Sequence, residues 1–112
     1  MANFNFDCGK FKRSFFNITL KNGKRLQVKM PFKGTFDKMQ LLQNIDTENQ
    51  DEATIGEEME GLAEVIAEGL SNNLNKYRVN KKEILENYDL EEMSAIIDTY
   101  FEFIASIKQS KN

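Results

Sequence analysis

The chain has 112 residues, with 15 Lys+Arg, 18 Asp+Glu, one Cys and no His, and its formal net charge is −3. This length predicts one domain over residues 1–112, and the single cysteine excludes both an internal disulfide and a thiolate zinc cluster. The absence of histidine removes the side chain that most often performs acid–base chemistry near neutral pH, which argues against an enzyme.

Charge is segregated along the chain. Residues 1–45 hold nine Lys/Arg and two Asp/Glu, whereas residues 46–112 hold six and sixteen. A basic front and an acidic back can attract each other within one fold, or can drive self-association between a basic hairpin and acidic helices of two copies. No apolar run of about 18 residues and no secretion signal occur, so we expect a soluble protein without a membrane partner.

The first predicted element is a β-hairpin over about residues 13–31, because apolar and polar residues alternate on both sides of Lys21-Asn22-Gly23-Lys24. A two-residue Asn-Gly turn would place apolar residues opposite arginine and glutamine. A three-residue loop instead pairs Ile18 with Leu26 and collects the apolar side chains on one face. We therefore predict the second register, with Gly23 in the left-handed conformation of a G1 bulge.

Four helices are predicted after the hairpin, from apolar residues spaced three and four apart. Their expected bounds are about 36–45, 54–72, 81–88 and 90–108. Thr35 is the predicted N-cap of the first helix, and capping boxes at Thr54-x-x-Glu57, Asn80-x-x-Glu83 and Asp89-x-x-Glu92 are predicted to start the others. The expected architecture is α+β, with an antiparallel hairpin packed against three to four helices.

Three further segments lack a strong pattern of their own. Asn3-Phe4-Asn5-Phe6 alternates and could add a third strand. Residues 46–53 are almost entirely polar, which predicts a mobile loop, and residues 108–112 form a polar tail.

The last predicted helix is apolar around more of its circumference than one-sided packing requires. Phe101 and Phe103 lie on opposite flanks of its main apolar line, so this helix is either deeply buried or also an interface. Aromatic residues dominate interface hot spots. The candidate partner-binding residues are therefore Phe15, on the solvated hairpin face, and Tyr100, Phe101 and Phe103, with burial in the core as the open alternative.

Specific catalytic motifs are missing from the sequence. Serine and cysteine have no histidine partner, no phosphate-binding glycine motif occurs, and the paired carboxylates are explained by helix capping. We predict no catalytic residue, no cofactor and no metal ligand. Lys10–Phe16 interleaves basic and aromatic residues, as platforms for single-stranded nucleic acid do, but Phe16 belongs to the predicted hairpin core. Nucleic-acid binding therefore stays a lesser alternative.

Three stretches carry a resemblance to a known family: Phe15–Lys24 in the basic hairpin, Tyr88–Met93 after the acidic middle, and Tyr100–Ile104 near the end. In this order they resemble the short tail assembly chaperones of long-tailed bacteriophages (siphoviruses) and of prophages in Gram-positive bacteria. The resemblance covers most of residues 12–107.

The resemblance implies a non-enzymatic assembly factor in the cytoplasm of a bacterial host, generally absent from the finished virion. Such a factor keeps the tape measure protein soluble while subunits of the tail tube protein are recruited. In many of these phages a programmed frameshift also gives a longer product, and a polar 108–112 tail is compatible with that arrangement. Patterning alone leaves open a small interaction or regulatory module, for example a phage inhibitor of a host protein.

If the last helix, or a groove beside it, contacts the tape measure protein, Phe103→Asp is expected to abolish co-solubilisation without unfolding the domain.

Overall fold

A computed structural model describes residues 3–43 and 52–109. Within them the chain forms an α+β fold, with an N-terminal antiparallel hairpin packed on helices, as the sequence predicts. The elements, after a single 3-10 turn at Cys8–Lys10, are β1 (Phe16–Thr19), β2 (Arg25–Val28), α1 (Lys33–Gln43), α2 (Glu52–Leu70), α3 (Lys81–Asn87) and α4 (Leu90–Gln109).

The hairpin has the predicted register. Ile18 lies opposite Leu26 and Phe16 opposite Val28, so the apolar side chains share the face that is buried. The amide of Gly23 donates to the carbonyl of Leu20 at 2.9 Å, and Gly23 has a φ of 90°. The three-residue loop and the left-handed glycine are therefore confirmed, although the paired strands are shorter than the predicted 13–31.

The N-terminal segment does not form the third strand that the sequence left open. Residues 3–6 have no regular secondary structure, and the sheet of the described residues has two strands. Phe4 and Phe6 are among the most exposed large apolar side chains, at 95% and 72%. A four-residue strand needs a neighbour to pair with, and this segment pairs with none among residues 3–43 and 52–109.

Two of the predicted capping motifs are confirmed. At the start of α3, the Asn80 side chain accepts a hydrogen bond from the amide of Glu83 at 2.8 Å. At the start of α4, Asp89 Oδ1 accepts from the amide of Glu92 at 2.8 Å, and Glu92 Oε1 accepts from the amide of Asp89 at 2.9 Å. This reciprocal pair is a complete capping box.

The other two predicted caps are wrong. Helix α1 begins at Lys33, so Thr35 lies inside it, and its hydroxyl donates to Glu68 of α2 at 2.5 Å instead of capping. Helix α2 begins at Glu52, two residues before Thr54, with a carboxylate in the first turn where the helix dipole favours it. In each case the helix extends N-terminally past the predicted cap.

Several predicted boundaries differ from those observed. Helix α2 ends at Leu70 and not near residue 72, α3 ends at Asn87, and α4 continues to Gln109. Glu52 and Ala53, placed in the mobile loop by the sequence, are helical, and the rest of that predicted loop lies outside the described residues. The predicted end of α1 near residue 45 and residues 110–112 of the polar tail also lie outside them.

The core lies between the apolar face of the hairpin and the helices. Its centre is the Tyr100 ring, which stacks on Phe16 with 5.3 Å between ring centroids. A Cβ added at Gly69 of α2 would lie 3.1 Å from Tyr100 Cε2, so this glycine lets α2 and α4 approach closely. The most fully buried side chains are those of Leu26, Val28, Met39, Ile66, Leu70, Ile84, Met93 and Tyr100.

A hydrogen-bonded loop after α2 joins the helices to the sheet. The side-chain amide of Asn73 donates to the carbonyls of Leu70 and Tyr77 at 2.7 and 2.8 Å, and its oxygen accepts from the amide of Tyr77 at 3.1 Å. Asn73 is 7% exposed and forms an isolated bridge with Val28 of β2. The sequence predicts only that a helix ends near residue 72.

Candidate partner-binding surface

The apolar stripe of α4 runs beyond the part of the helix that the domain covers. Met93, Ile97 and Tyr100 are buried in the core. The apolar residues of the following two turns are only half-buried: Phe101, Phe103, Ile104 and Ile107. We refer to these four residues as the α4 flank. Large apolar side chains that a fold leaves half-covered near the end of a helix can take part in an interaction surface.

Phe103 lies on the sheet side of the α4 flank. Its ring stacks on those of Phe16 and Tyr100, with 6.2 Å between centroids in each case. One face of Phe103 therefore belongs to the core packing, so Phe103→Asp would disturb the fold as well as any interface. The expectation that this substitution leaves the domain intact does not fit the structure.

Phe101 lies on the other side of the helix. Its ring meets Phe36 of α1 edge-on, at 5.8 Å between centroids. Phe36 is itself half-buried, so this pair lies at the margin of the core. The prediction that Phe101 and Phe103 occupy opposite flanks of α4 is confirmed by their different ring partners.

Tyr100 is a core residue that offers almost no surface to a partner, being 2% exposed. Its hydroxyl donates to the carbonyl of Lys29, just after β2, at 2.5 Å. Burial raises the pKa of the Tyr100 hydroxyl above its usual range, so the phenol stays protonated and remains a donor. Of the four predicted partner-binding residues, Tyr100 has the clearest structural role.

Phe15 is half-buried and lies immediately before β1. No ring contact within the described residues joins it to Phe101 or Phe103. The structure therefore brings Tyr100 and Phe103 together, places Phe101 on the far side of the same helix, and leaves Phe15 apart.

Basic residues of the hairpin and of α1 form ion pairs with the acidic helices, the hairpin through Lys21 and α1 through Lys38. Lys21 Nζ lies 2.6 Å from Glu92 Oε2, and Lys38 Nζ lies 3.0 Å from Glu68 Oε1. The Lys21 amide also donates to the Tyr88 hydroxyl at 3.0 Å, which anchors the hairpin tip on the start of α4. Part of the segregated charge is thus matched intramolecularly.

Glu92 gives the hairpin tip a pH-dependent anchor. The hydrogen bond from Lys21 and then that from the Asp89 amide hold the pKa of Glu92 below its usual value of 4.5. A carboxyl whose pKa is lower in the folded state than in the unfolded state stabilises the fold above its unfolded pKa, and that contribution disappears as pH falls through the folded pKa. The Glu92 contribution is therefore expected at neutral pH and lost in acid.

We expect Glu92→Gln to melt at a lower temperature than the wild type at pH 7, and the difference to shrink as pH falls below about 4.5. Thermal unfolding followed by circular dichroism across this range measures it. Glu91→Gln is the matched control, because Glu91 is exposed in the same first turn of α4. A difference between wild type and Glu92→Gln that stays constant with pH would contradict this assignment.

Two cavities among the described residues lie beside α2. One, of about 680 Å³, is an open groove beside α2 and the loop before α3, with charged side chains of both signs. A smaller one of about 170 Å³ lies beside the buried Glu58 carboxylate. No group of three or more His, Cys, Asp and Glu residues within the described chain is arranged to hold a metal ion.

Two strongly exposed apolar residues near α1 were not singled out from the sequence. Phe32 is 77% exposed and Leu41 is 75% exposed. Leu41 is adjacent to Leu42, and neighbouring residues on a helix differ in direction by about 100°, so the apolar pair itself indicates that one of the two faces outward. Phe32 carries no such signal.

Comparisons of the chain with models of protein families, with curated proteins and with solved structures gave no significant match. Within residues 3–43 and 52–109, no helix combines the length and the apolarity needed to cross a lipid bilayer.

Proposed function

We propose that this chain is a non-enzymatic tail assembly chaperone of a long-tailed bacteriophage or prophage, which keeps the tape measure protein soluble and helps to recruit tail tube subunits. The observation that carries the proposal is the α4 flank, where half-covered aromatic and aliphatic side chains extend past the buried part of the helix. A long helical client exposes an apolar stripe of its own, and such a stripe can pack on a surface of this kind.

The charges around the α4 flank support the same proposal. Asp98 and Glu102 are exposed on the same helix, and the chain as a whole is acidic. Exposed charge keeps a complex soluble after its apolar surfaces have met. A chaperone of this kind requires apolar contact and solubility and no chemistry of its own.

The proposal includes a location and an assembly behaviour. The protein acts in the cytoplasm of the bacterial host and is left out of the mature virion. Self-association between the basic hairpin and acidic helices of different copies would be weakened by salt, because exposed charges are screened. Elution on size exclusion that does not change with salt would contradict this electrostatic contact.

The α4 flank is tested by Phe101→Ser. An aromatic hot spot contributes about 2 kcal/mol or more to binding, so we expect this variant to bind the tape measure protein at least about thirtyfold more weakly. The measurement is the amount of tape measure protein that copurifies with each variant from co-expressing cells, together with the melting temperature of each variant alone.

The matched control is Phe32→Ser, which removes an equally large aromatic ring from an exposed position outside the α4 flank. We expect it to retain wild-type copurification. Equal losses for both variants, or full copurification by a folded Phe101→Ser protein, would place the contact elsewhere.

A further inference from the structure

The outer edge of β1 is open. The amide of Leu20 donates to the Lys24 carbonyl at 2.8 Å, so the backbone groups of Leu20 point toward β2. Hydrogen-bonded pairs alternate along an antiparallel ladder, so the backbone groups of Ile18 and Phe16 also point toward β2. The backbone groups of Asn17 and Thr19 therefore point away from β2. No hydrogen bond among residues 3–43 and 52–109 uses them. This edge offers two N–H and two C=O groups to an incoming strand.

The other edge of the hairpin is already covered. The amide of Gln27 donates to Asn75 Oδ1 at 2.8 Å, its carbonyl accepts from Leu74 at 3.0 Å, and the amide of Lys29 donates to the Asn72 carbonyl at 2.9 Å. Proteins usually cover or blunt exposed sheet edges, since an open edge pairs with other chains. Here one edge is covered and the β1 edge is left available.

An apolar groove lies beside the open edge. It has a volume of about 270 Å³ and lies between β1 and the middle of α4. Ile18 lines it from the strand, and Ala95, Ile96 and Thr99 line it from the helix. A strand added to β1 would direct every second side chain into this groove.

The N-terminal arm, residues 3–14, has a sequence that suits such a strand. All of its residues are exposed, and its backbone hydrogen bonds are local ones around the turn at Cys8–Lys10. Its first four residues alternate asparagine with phenylalanine, which places both aromatic rings on one face when the segment is extended.

We infer that the N-terminal arm of a second copy of this chain adds antiparallel to β1 and inserts Phe4 and Phe6 into the groove. In the register that pairs Asn5 with Asn17, the asparagines occupy hydrogen-bonding positions on the solvated face. The two rings then face the groove beside Ile18. The alternation of asparagine and phenylalanine in the arm therefore fits both the unpaired backbone groups of β1 and the apolar groove. This inference does not depend on the proposed function.

Charge complementarity favours a second copy as the occupant. Lys10, Lys12 and Arg13 follow the pairing segment, and the added strand would carry them past Phe16, toward the half of α4 that holds Glu102. Within its own chain the arm does not pair with this edge, and its ring contact of 5.6 Å, between Phe6 and Phe11, is internal to the arm. The same arm and edge exist on every copy, so exchange can be reciprocal and close a dimer.

The first test is size-exclusion chromatography with light scattering of this chain alone, over about a hundredfold range of concentration. We expect the wild type to self-associate and Phe4→Asp/Phe6→Asp to dissociate at least about tenfold more readily. Phe32→Asp is the matched control, because Phe32 is equally exposed but outside the arm. A wild type that stays monomeric throughout, or a double variant that associates normally, would overturn the inference.

The second test acts on the groove. Ala95→Arg fills the groove that would receive Phe4 and Phe6, whereas Ala105→Arg places the same side chain on the same helix outside the groove. Both alanines are exposed, so both variants are expected to fold. We expect weakened self-association for Ala95→Arg alone, and an equal effect of the two substitutions would overturn the inference.

The third test separates a second copy from the chain's own arm. In a Cys8→Ser background, Asn5→Cys and Asn17→Cys proteins are mixed and treated with a short thiol cross-linker. A cross-link between them can form only between chains, and we expect one. A variant that carries both cysteines in one chain tests the alternative. If it gave internally cross-linked monomers and no cross-linked dimers, the N-terminal arm would fold back on the β1 edge of its own chain, and the inference would be overturned.

Discussion

Replacement of Tyr100 by alanine is expected to lower the free energy of unfolding by about 4 kcal/mol, as large-to-small substitutions of buried aromatic residues do. The ring is 2% exposed and stacks on Phe16, and Gly69 has no side chain that could fill the space it leaves. Small domains are stable by only about 5–15 kcal/mol, so this is a large fraction of the total. Urea unfolding followed by circular dichroism measures the change.

Tyr100→Phe separates packing from hydrogen bonding at this position. It keeps the ring and removes only the hydroxyl that donates to the Lys29 carbonyl. The expected loss is about 1 kcal/mol, the usual net value of one hydrogen bond. Equal, small losses for Tyr100→Ala and Tyr100→Phe would mean that Tyr100 is not at the centre of the core.

Asn73→Ala is expected to cost about 3 kcal/mol. The Asn73 side chain serves two carbonyls and one amide of the loop after α2, and alanine leaves all three without this partner. Each buried polar group left without a hydrogen bond costs about 1–3 kcal/mol. Water can reach the half-buried backbone groups of Tyr77 and replace part of what they lose, so the total is smaller than three full penalties. Denaturant unfolding at neutral pH measures the loss.

Asn75→Ala is the control for that experiment. Asn75 is exposed and accepts one hydrogen bond, from the amide of Gln27. Solvent can replace this bond, so we expect a loss below about 1 kcal/mol. If both asparagine substitutions cost the same, the buried amide network around Asn73 does not hold the loop as described.

The hairpin was predictable because its determinants are local. A shift of one residue in strand pairing moves every side chain to the other face of the sheet. Only a three-residue loop, Lys21–Gly23, puts Ile18 opposite Leu26, so the loop length could be predicted without reference to the helices. The capping boxes at Asn80 and Asp89 were predictable for the same reason, since each motif is complete within four residues.

Two features that the sequence did not reveal involve a partner far along the chain. Threonine is a common N-cap residue, but the Thr35 hydroxyl donates a hydrogen bond to Glu68, thirty-three residues away. Asn73 follows the predicted end of α2 near residue 72 and carries no local motif, because its contribution lies in the bridge to Val28 and in the fold of the following loop. Local motifs do not report such tertiary contacts.

The candidate site was only partly predictable. Helical spacing placed Tyr100, Phe101 and Phe103 on one apolar helix. Spacing alone does not show how much of that helix is buried by the hairpin and the other helices. The structure places Tyr100 in the core with the Phe103 ring stacked on it, and Phe101 against Phe36 on the other side of the helix. The open edge of β1 was likewise hidden, because the sequence does not indicate which side of a two-stranded sheet another segment covers.

The most direct test of the proposed function is co-expression of this chain with the tape measure protein of the same phage, scoring the soluble fraction of the tape measure protein with and without the chain. The account predicts that the tape measure protein becomes soluble and copurifies in a complex with this protein. A tape measure protein that is equally insoluble in both cases, while this chain is folded and monodisperse, would contradict the account.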